Sequence, residues 1–225
     1  MSKIVVIGDC HFPFTDFQAL QKIIQFIAKV KPDYVVQIGD LYDLYAQSSF
    51  PKSLKLPPAQ EMEQARNCAK QMWEEIHQAS KKSIKWQLLG NHCIRPFKRI
   101  MEAYPEGEVF FNVMDFFKFE NVRTMPDART HLQIDNVLFH HGYSSKLGAH
   151  RDHTLMNTVV GHTHTGGVVF RSHEQDGMQK TIWELNAGFV GNTKEPCFSY
   201  TPMRITKWTI GFGYIDDQGP RFIPL

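Results

Sequence analysis

The chain has 225 residues, 42% of them hydrophobic, so it can bury a substantial core, and we expect a single domain over residues 1–225. Its net charge of +2 gives no electrostatic argument for binding to a membrane or to nucleic acid. Four widely spaced cysteines, the lack of a signal-peptide-like start and the lack of a long apolar stretch predict a cytoplasmic protein without membrane contact.

Strands and helices alternate in the first half of the chain. Thr15 or Asp16 can cap a helix that runs to about Lys29, and a second helix is expected over residues 58–82 with proline in its first turn. Residues 42–58 have no regular period and predict a loop. Apolar runs rich in β-branched residues predict buried strands at residues 3–7, 34–38 and 84–89.

Short strands joined by turn signals dominate the second half. Turn-like sequences at residues 135–136, 175–177 and 218–219 each separate two strand-like runs and predict three hairpins. The expected strands are residues 131–134, 137–140, 158–160, 168–173, 178–186, 205–216 and 221–223. A βαβ half followed by a hairpin half predicts an α/β fold in which two mixed β-sheets pack as a sandwich flanked by helices.

Five short polar clusters each follow one of the apolar runs. Open α/β sheets bind ligands outside the carboxyl ends of their strands, so neighbouring strands would bring these clusters to one site. The site would contain three carboxylates, an Asn amide and at least four imidazoles, which suits a pair of divalent transition metals. The clusters are Gly8-Asp9-Cys10-His11, Gly39-Asp40-Leu41-Tyr42-Asp43, Gly90-Asn91-His92, His141-Gly142 and Gly161-His162-Thr163-His164.

The spacing within the clusters suggests how two ions would share the ligands. Asp9 and His11 alternate at a strand end, so both side chains can point to the same side and hold one ion. Asp40 has two carboxylate oxygens and could bridge two ions roughly 3.5–4 Å apart. The remaining expected ligands are Asn91, His141 and His162 for the second ion and His164 for the first.

The order Asp-x-His, Gly-Asp-x-x-Asp, Gly-Asn-His, His-Gly and Gly-His-x-His resembles the calcineurin-like metallophosphoesterase superfamily over residues 4–186. The resemblance implies a double β-sandwich and hydrolysis of phosphate esters by a metal-bound hydroxide. Manganese is the expected metal, with iron, zinc and nickel as alternatives. His92 is then the catalytic histidine, and Arg95 is a plausible phosphate clamp. The implied ligands are Asp9, His11, Asp40 and His164 for one metal, and Asp40, Asn91, His141 and His162 for the other.

The chain departs from the Ser/Thr phosphoprotein phosphatase branch of that superfamily. Phe12 stands where that branch has glycine, and residues 44–46 stand where it has Asp-Arg-Gly. Cys93 replaces the acid that steadies the catalytic histidine, so we expect Asp43 or a backbone carbonyl to orient His92. The Gly-Asn-His-x-x-Arg arrangement is similar to phosphoesterases of phages and bacteria.

We therefore expect a dinuclear metal-dependent phosphoesterase whose substrate is a phosphate ester, with a phosphodiester or nucleic acid preferred. The alternatives are a phosphomonoesterase or protein phosphatase, and a metal-binding scaffold without turnover. The aromatic residues do not decide between these functions. They could stack on bases or pack internally, and they are Tyr42, Tyr45, Phe50 and Trp73. The oligomeric state stays open.

Other residues near the motifs have simpler interpretations. His140 and His141 should point to opposite faces of a strand, and His141 is the preferred ligand, with His140 as the alternative. His150 and His153 are expected to be exposed on a polar loop, the alternative being contact with substrate. Packing roles are expected for Cys10, Cys93 and the helically spaced stripe Phe110, Phe111, Met114 and Phe117.

Overall fold

Two mixed β-sheets form the framework of the protein. The computed structural model describes residues 1–49, 52, 54–109, 112–127, 129–199 and 207–225. Its strands are β1 (Ile4–Ile7), β2 (Tyr34–Gln37), β3 (Ile84–Gln87), β4 (Val122–Thr124), β5 (Leu132–Ile134), β6 (Val137–Phe139), β7 (Asn157–Val160), β8 (Gly167–Gln175), β9 (Met178–Asn186), β10 (Gly211–Asp216) and β11 (Gly219–Pro224).

The first sheet has the strand order β11-β10-β1-β2-β3-β4, and the second has the order β5-β6-β7-β9-β8. In the first sheet β1 to β4 run parallel, and β10 and β11 add an antiparallel edge. In the second sheet β6, β7 and β9 run parallel, while β5 and β8 are antiparallel to their neighbours. Apart from β4, which forms an edge of the first sheet, the parallel strands lie in the interior of their sheets, and their carboxyl ends lie together along one side of each sheet.

Four α-helices accompany the sheets in the described part of the chain: α1 (Phe17–Val30), α2 (Pro58–Ala79), α3 (Arg95–Ala103) and α4 (Ala149–Thr154). Asp16 begins α1 by accepting hydrogen bonds from the backbone N–H groups of Gln18 and Ala19. At the other end, Lys31 adopts a left-handed conformation and donates its N–H to the Ile27 carbonyl. Local capping thus sets both ends of α1, and the predicted cap at Asp16 is confirmed.

The main packing layer lies between the two sheets. Val6 and Val36 of the first sheet and Phe139, Val159 and Leu185 of the second are fully buried in one cluster. Burial of each such side chain contributes about 1.5–3 kcal/mol. A second cluster joins the opposite face of the first sheet to α1 and α2, and α4 contacts β7 and β9 of the second. The predicted sandwich of mixed sheets flanked by helices is confirmed.

The structure differs from the predicted elements in a few places. α2 ends at Ala79 rather than at residue 82, α3 was not expected, and a short 3₁₀ turn occupies Tyr45–Gln47 within the predicted loop. β10 begins at Gly211, while residues 205–206 of the strand expected there lie outside the described residues. α3 escaped prediction because it has only nine residues, although Phe97, Ile100 and Met101 recur at helical spacing along it.

Burial decides the role of several aromatic residues. Tyr42, Tyr45 and Trp73 are buried, so these rings pack in the interior, whereas Phe50 lies outside the described residues. Phe117 is also buried, as expected. Of the other members of its stripe, Met114 is partly buried against the core, and Phe110 and Phe111 lie outside the described residues. Among the described residues, no helix is long and apolar enough to cross a bilayer.

Candidate metal centre

The candidate ligands lie on loops that leave the carboxyl ends of parallel strands in both sheets. Because the sheets pack face to face, these loops meet at one edge of the sandwich. The backbone N–H of His11 donates to the Asp40 carbonyl at 3.0 Å, which joins the first two loops. The ligands are Asp9 and His11 after β1, Asp40 after β2, Asn91 after β3, His141 after β6, and His162 and His164 after β7.

Four of these residues have unusual backbone conformations. His11, Asp40, His162 and His164 have φ angles of 51°, 46°, 68° and 58°, in the left-handed region that non-glycine residues seldom adopt. Each such residue costs about 1–3 kcal/mol, and strain of this kind concentrates at functional sites. The strained geometry turns the four side chains toward one another, which is evidence for a functional site.

The first ligand cluster consists of Asp9, His11 and His164. His11 Nε2 lies 3.1 Å from His164 Nε2, and His164 Nε2 lies 3.1 Å from Asp9 Oδ2. All three residues are buried. Two imidazole nitrogens at hydrogen-bond distance cannot both point a proton at each other, so at least one lone pair faces the shared space. A cation in that space would be held by two nitrogens and a carboxylate.

The second cluster consists of Asp40, Asn91, His141 and His162. His141 Nε2 lies 3.2 Å from Asp40 Oδ2 and 3.0 Å from Asn91 Oδ1, and His162 Nδ1 lies 2.9 Å from Asn91 Oδ1. His141 Nδ1 is 3.3 Å from the Ile38 carbonyl, so its N–H can donate there and leave Nε2 free for a metal. This cluster offers two oxygens and two nitrogens to a second cation.

Asp40 connects the two clusters. Ligand atoms of Asp9, Asp40 and His141 all lie within 4.8 Å of one another. The backbone at Gly90 leaves room for this carboxylate, because a Cβ there would overlap the Asp40 side chain. The glycine of the Gly-Asn-His motif therefore provides space for the carboxylate between the clusters.

The electrostatics of the site also fit cations. Burial raises the pKa of Asp9 to about 6, and its Oδ1 has no hydrogen-bond partner among the described residues. Burial lowers the pKa of His164 to about 3 and so favours the neutral, metal-binding form. Burial opposes the charged form of His141 as well, but the Asp40 and Asp9 carboxylates outweigh it and raise the pKa to about 9. A divalent cation would take the place of that proton.

His92 sits beside the clusters with its ring fixed from both sides. Its Nδ1 lies 3.0 Å from both the backbone carbonyl and Oδ1 of Asp43, and its Nε2 lies 3.9 Å from Asp40 Oδ2. Arg95 donates through Nη2 to His92 Nε2 at 2.7 Å and through Nη1 to the Asp43 carbonyl at 2.9 Å. The two groups that the sequence offered as alternatives for orienting His92 both contact it.

Comparison with known proteins agrees with this arrangement. Residues 2–199 match the family model described as calcineurin-like phosphoesterase. The chain belongs to the calcineurin-like phosphoesterase family. It is therefore a metal-dependent phosphoric ester hydrolase, and the family expected from the motifs is confirmed.

Relatives and solved structures add to the comparison. The Gene 54 proteins of Mycobacterium phage L5 and Mycobacterium phage D29 are each 28% identical to the chain and align over 100% of it and 94% of their own lengths. The YfcE phosphoesterase of E. coli matches at a TM-score of 0.48 and 15% identity, covering 99% of this chain and 92% of its own. Vps29 of Chaetomium thermophilum matches at a TM-score of 0.45 and 13% identity, covering 97% of this chain and 84% of its own.

The residues that sequence left ambiguous have distinct positions in this phosphoesterase. His141 points to the Asp40 carboxylate, whereas the ring of His140 packs against those of His131 and His150 at centroid distances of 4.9 and 5.0 Å. His153 is exposed, as expected. Cys10 and Cys93 are buried free thiols, and burial raises the pKa of Cys93 to about 12. That agrees with packing roles for both.

The expectation that His150 is exposed is wrong, because the residue is fully buried. Its Nε2 accepts hydrogen bonds from the backbone N–H groups of Tyr143 and Ser144, at 3.1 and 3.2 Å. His150 thereby fixes the loop that follows the candidate ligand His141. A short helix carries His150 into the interior, and the polar sequence around it did not reveal this.

Sequence reasoning missed Glu184, a fully buried carboxylate on β9. It accepts backbone N–H groups from Gly148, His150 and Arg151 at 2.7, 3.0 and 3.1 Å, and lies 3.4 Å from His150 Nδ1. These bonds attach the start of α4 to the second sheet. A signal was present, because Glu184 is a single acid within the apolar run of residues 182–185.

An aromatic wall, also missed, covers the first cluster. The rings of Phe189 and Trp208 lie 4.4 and 4.3 Å from the ring of His164. Phe198 approaches His11 at 5.6 Å. Phe189 and Phe198 are buried, whereas Trp208 is partly exposed, so one side of the candidate centre is apolar. These rings come from the segment after β9, far in sequence from the polar motifs.

Proposed function

We propose that this phosphoesterase holds two divalent cations and hydrolyses phosphodiesters. Asp9, His11 and His164 would hold one cation, Asn91, His141 and His162 would hold the other, and Asp40 would contribute carboxylate oxygens to both. Mixed oxygen and nitrogen ligation suits first-row transition metals, and manganese is our first choice, before iron, zinc and nickel.

One observation carries the proposal. The Asp40 carboxylate lies between two groups of buried oxygen and nitrogen ligands, with His141 Nε2 3.2 Å from its Oδ2. The buried carboxylates of Asp9 and Asp40 are close enough to repel each other, and they call for positive charge between them. Two cations would supply that charge, withdraw electrons from phosphate oxygens and lower the pKa of a water that they share.

His92 is the proposed proton-transfer group. With Nδ1 on Asp43, its Nε2 faces the same space as Asp40 Oδ2, 3.9 Å away. From there His92, once Nε2 carries a proton, would hydrogen-bond to the phosphoryl group or protonate the leaving oxygen. Before substrate binds, the Arg95 guanidinium holds His92 Nε2 at 2.7 Å. A phosphate oxygen that binds Arg95 would release that nitrogen, which could then take up the proton that the attacking water loses and pass it to the leaving oxygen.

The preference for diesters rests on what surrounds the centre. A diester carries a substituent on each side of phosphorus, so a site for it must be open on two sides. Asn91 is exposed at one end of the candidate centre, and partly exposed Trp208 lies at the other. An aromatic ring beside the reacting phosphate can stack on a base or another flat leaving group.

Metal analysis is the first test. Elemental analysis of protein equilibrated with manganese should find two ions per chain, and anomalous scattering from crystals should place both among the named ligands. Saturation at a single site with His141 and His162 remote from it would contradict the proposal.

A pair of variants separates metal binding from proton transfer. His92→Ala should keep both ions and slow turnover by about two to four orders of magnitude, the range for general acid catalysis. Asp40→Asn should weaken metal binding as well as the rate. If His92→Ala turned over as fast as the parent, or lost its metals, the role given to His92 would be wrong.

Substrate comparison tests the diesterase. Manganese-loaded protein should hydrolyse bis(p-nitrophenyl) phosphate measurably and a phosphoserine peptide poorly. Both assays should use the same preparation, with p-nitrophenyl phosphate as the monoester control. Rapid turnover of the phosphopeptide without cleavage of the diester would identify a phosphatase instead. Two bound metals without turnover of any of these substrates would favour a narrow-specificity enzyme or a non-catalytic metal protein.

A further inference from the structure

A groove of about 780 Å³ leads away from the candidate metal centre along α3. Asn91, a proposed metal ligand, lines the groove, and so do Ser48 of the loop after β2 and residues from successive turns of α3. Arg99 Nη2 donates to the Ser48 carbonyl at 3.1 Å and joins the two walls. The groove is therefore continuous with the reaction site.

Positive charge lines the helical wall of the groove. Arg95, Lys98 and Arg99 are three and four residues apart, so they project from the same face of α3. Lys98 and Arg99 are exposed, and neither lies within 4.0 Å of a carboxylate in the part of the chain that the structure describes. Among the lining residues that the structure describes, Glu102 is the one carboxylate, at the end of α3 farthest from Asn91. Near the metal centre the groove thus carries uncompensated positive charge.

The three cations are at different distances from the reacting position. Arg95 contacts His92, so it would bind the phosphate that is attacked at the metals. Lys98 and Arg99 follow about 4.5–6 Å farther along the helix axis, one turn away. A ligand that uses all three therefore needs a second phosphate next to the one being attacked. Phosphates repeated at short intervals along an extended backbone are the defining feature of a nucleic acid strand.

The opposite side of the centre fits the same ligand. Trp208 is partly exposed beside His164. His164 belongs to the first ligand cluster, whereas Asn91, which lines the groove, belongs to the second. A strand laid across the two cations would place a base near this ring and the next phosphate in the groove. A small diester with a single phosphate has no second phosphate to place in the groove.

We propose that Lys98 and Arg99 bind the phosphate that neighbours the scissile one, so that the substrate is a single-stranded oligonucleotide. This inference rests on the proposed phosphodiesterase function and narrows its substrate. It assigns the groove along α3 as a subsite for the nucleic acid backbone.

Substrates that differ only in flanking phosphates test the inference. Thymidylyl-thymidine has a single phosphodiester, whereas hexathymidylate has neighbours on both sides. In the Lys98→Ala/Arg99→Ala variant, loaded with manganese, kcat/KM for the hexamer should fall 10- to 100-fold relative to kcat/KM for the dimer. Single substitution Lys98→Glu should change the same ratio in the same direction, which provides a second variant if the first is unstable.

The matched control is Lys81→Ala/Lys82→Ala, which removes the same charge from exposed positions in the turn after α2. It should leave the ratio of hexamer to dimer unchanged. The salt dependence gives an independent measure, because each contact with a single-strand phosphate contributes a slope of about −0.7 to log K against log salt concentration. Loss of the groove cations should make the slope for hexamer binding shallower by about that amount.

Binding of fluorescein-labelled hexathymidylate, measured by anisotropy, separates this inference from the proposed function. Binding that depends on Lys98 and Arg99 without hydrolysis of any diester would support the groove and contradict the enzyme assignment. Diester hydrolysis with equal effects of the variants on dimer and hexamer would keep the enzyme and overturn the groove.

Discussion

Asp43→Asn is the most informative substitution at this site, because a single carboxylate oxygen contacts two functional histidines. Asp43 Oδ1 lies 2.8 Å from His11 Nδ1 and 3.0 Å from His92 Nδ1. If both Nδ1 atoms are protonated, the Nε2 lone pair of His11 faces the first cluster, and Nε2 of His92 is the atom that accepts from Arg95 or takes up a proton. Burial disfavours a charged Asp43, but the bonds to the two histidines outweigh it and hold its pKa below the usual range. An amide would keep the shape and lose the charge.

The magnitude follows from the number and type of bonds. Outer partners of metal-ligand histidines typically contribute 10- to 100-fold in affinity or activity. We expect Asp43→Asn to lower kcat by about 10- to 100-fold, or about 1.4–2.8 kcal/mol, and to weaken manganese binding by about tenfold through His11. Steady-state hydrolysis of bis(p-nitrophenyl) phosphate over a manganese titration measures both effects in one experiment.

Asp217→Asn is the matched control, since it makes the same substitution at an exposed turn position. It should match the parent in rate and in metal affinity. Thermal unfolding of both variants checks that the fold is retained. Parent-like kcat and metal affinity in a folded Asp43→Asn protein would refute the idea that Asp43 orients the two histidines.

Three further predictions address space, buried charge and metal removal. Gly90→Ala should lower manganese affinity and reduce kcat about 100-fold, because its Cβ would overlap the Asp40 carboxylate; a metal titration measures this. Glu184→Gln should reduce the free energy of unfolding by about 2 kcal/mol in urea titrations at pH 7, whereas exposed Glu174→Gln should not. The fold lowers the pKa of Glu184 from its ordinary value of 4.5. The loss of stability in Glu184→Gln should therefore be complete above about pH 4.5 and shrink as the pH falls further. Removal of metals by a chelator should lower the midpoint of thermal unfolding, because the metals bind the folded state selectively. Calorimetry measures this midpoint.

The candidate site could be predicted largely because its residues follow strands that the sequence marks clearly. Residues 4–7, 34–37 and 157–160 are short, apolar and β-branched, and they are strands in the structure. Parallel strands end at a common edge, so the residues just beyond them had to lie close together. The motif order then predicted which polar side chains would converge, and the structure brings them into two clusters.

The parts that escaped prediction depend on contacts between distant segments. His150 is buried because Glu184, 34 positions later, binds the start of its helix. Trp208 approaches His164 from a segment without a motif. The groove along α3 was also hidden, because Lys98 and Arg99 look like ordinary surface cations until Ser48 is placed opposite them. Local patterns contain no information about such pairings.

The origin of the ligands explains why the centre should depend on the integrity of the whole fold. Asp9 and Asp40 come from the first sheet, whereas His141 and His164 come from the second. Each proposed cation therefore bridges the two sheets at the edge where their shared apolar core ends. Because the left-handed conformations of several ligands are costly, the core must hold them before metal arrives. Packing between the sheets would thus preorganise the ligands, and bound metals would in turn stabilise the packed state.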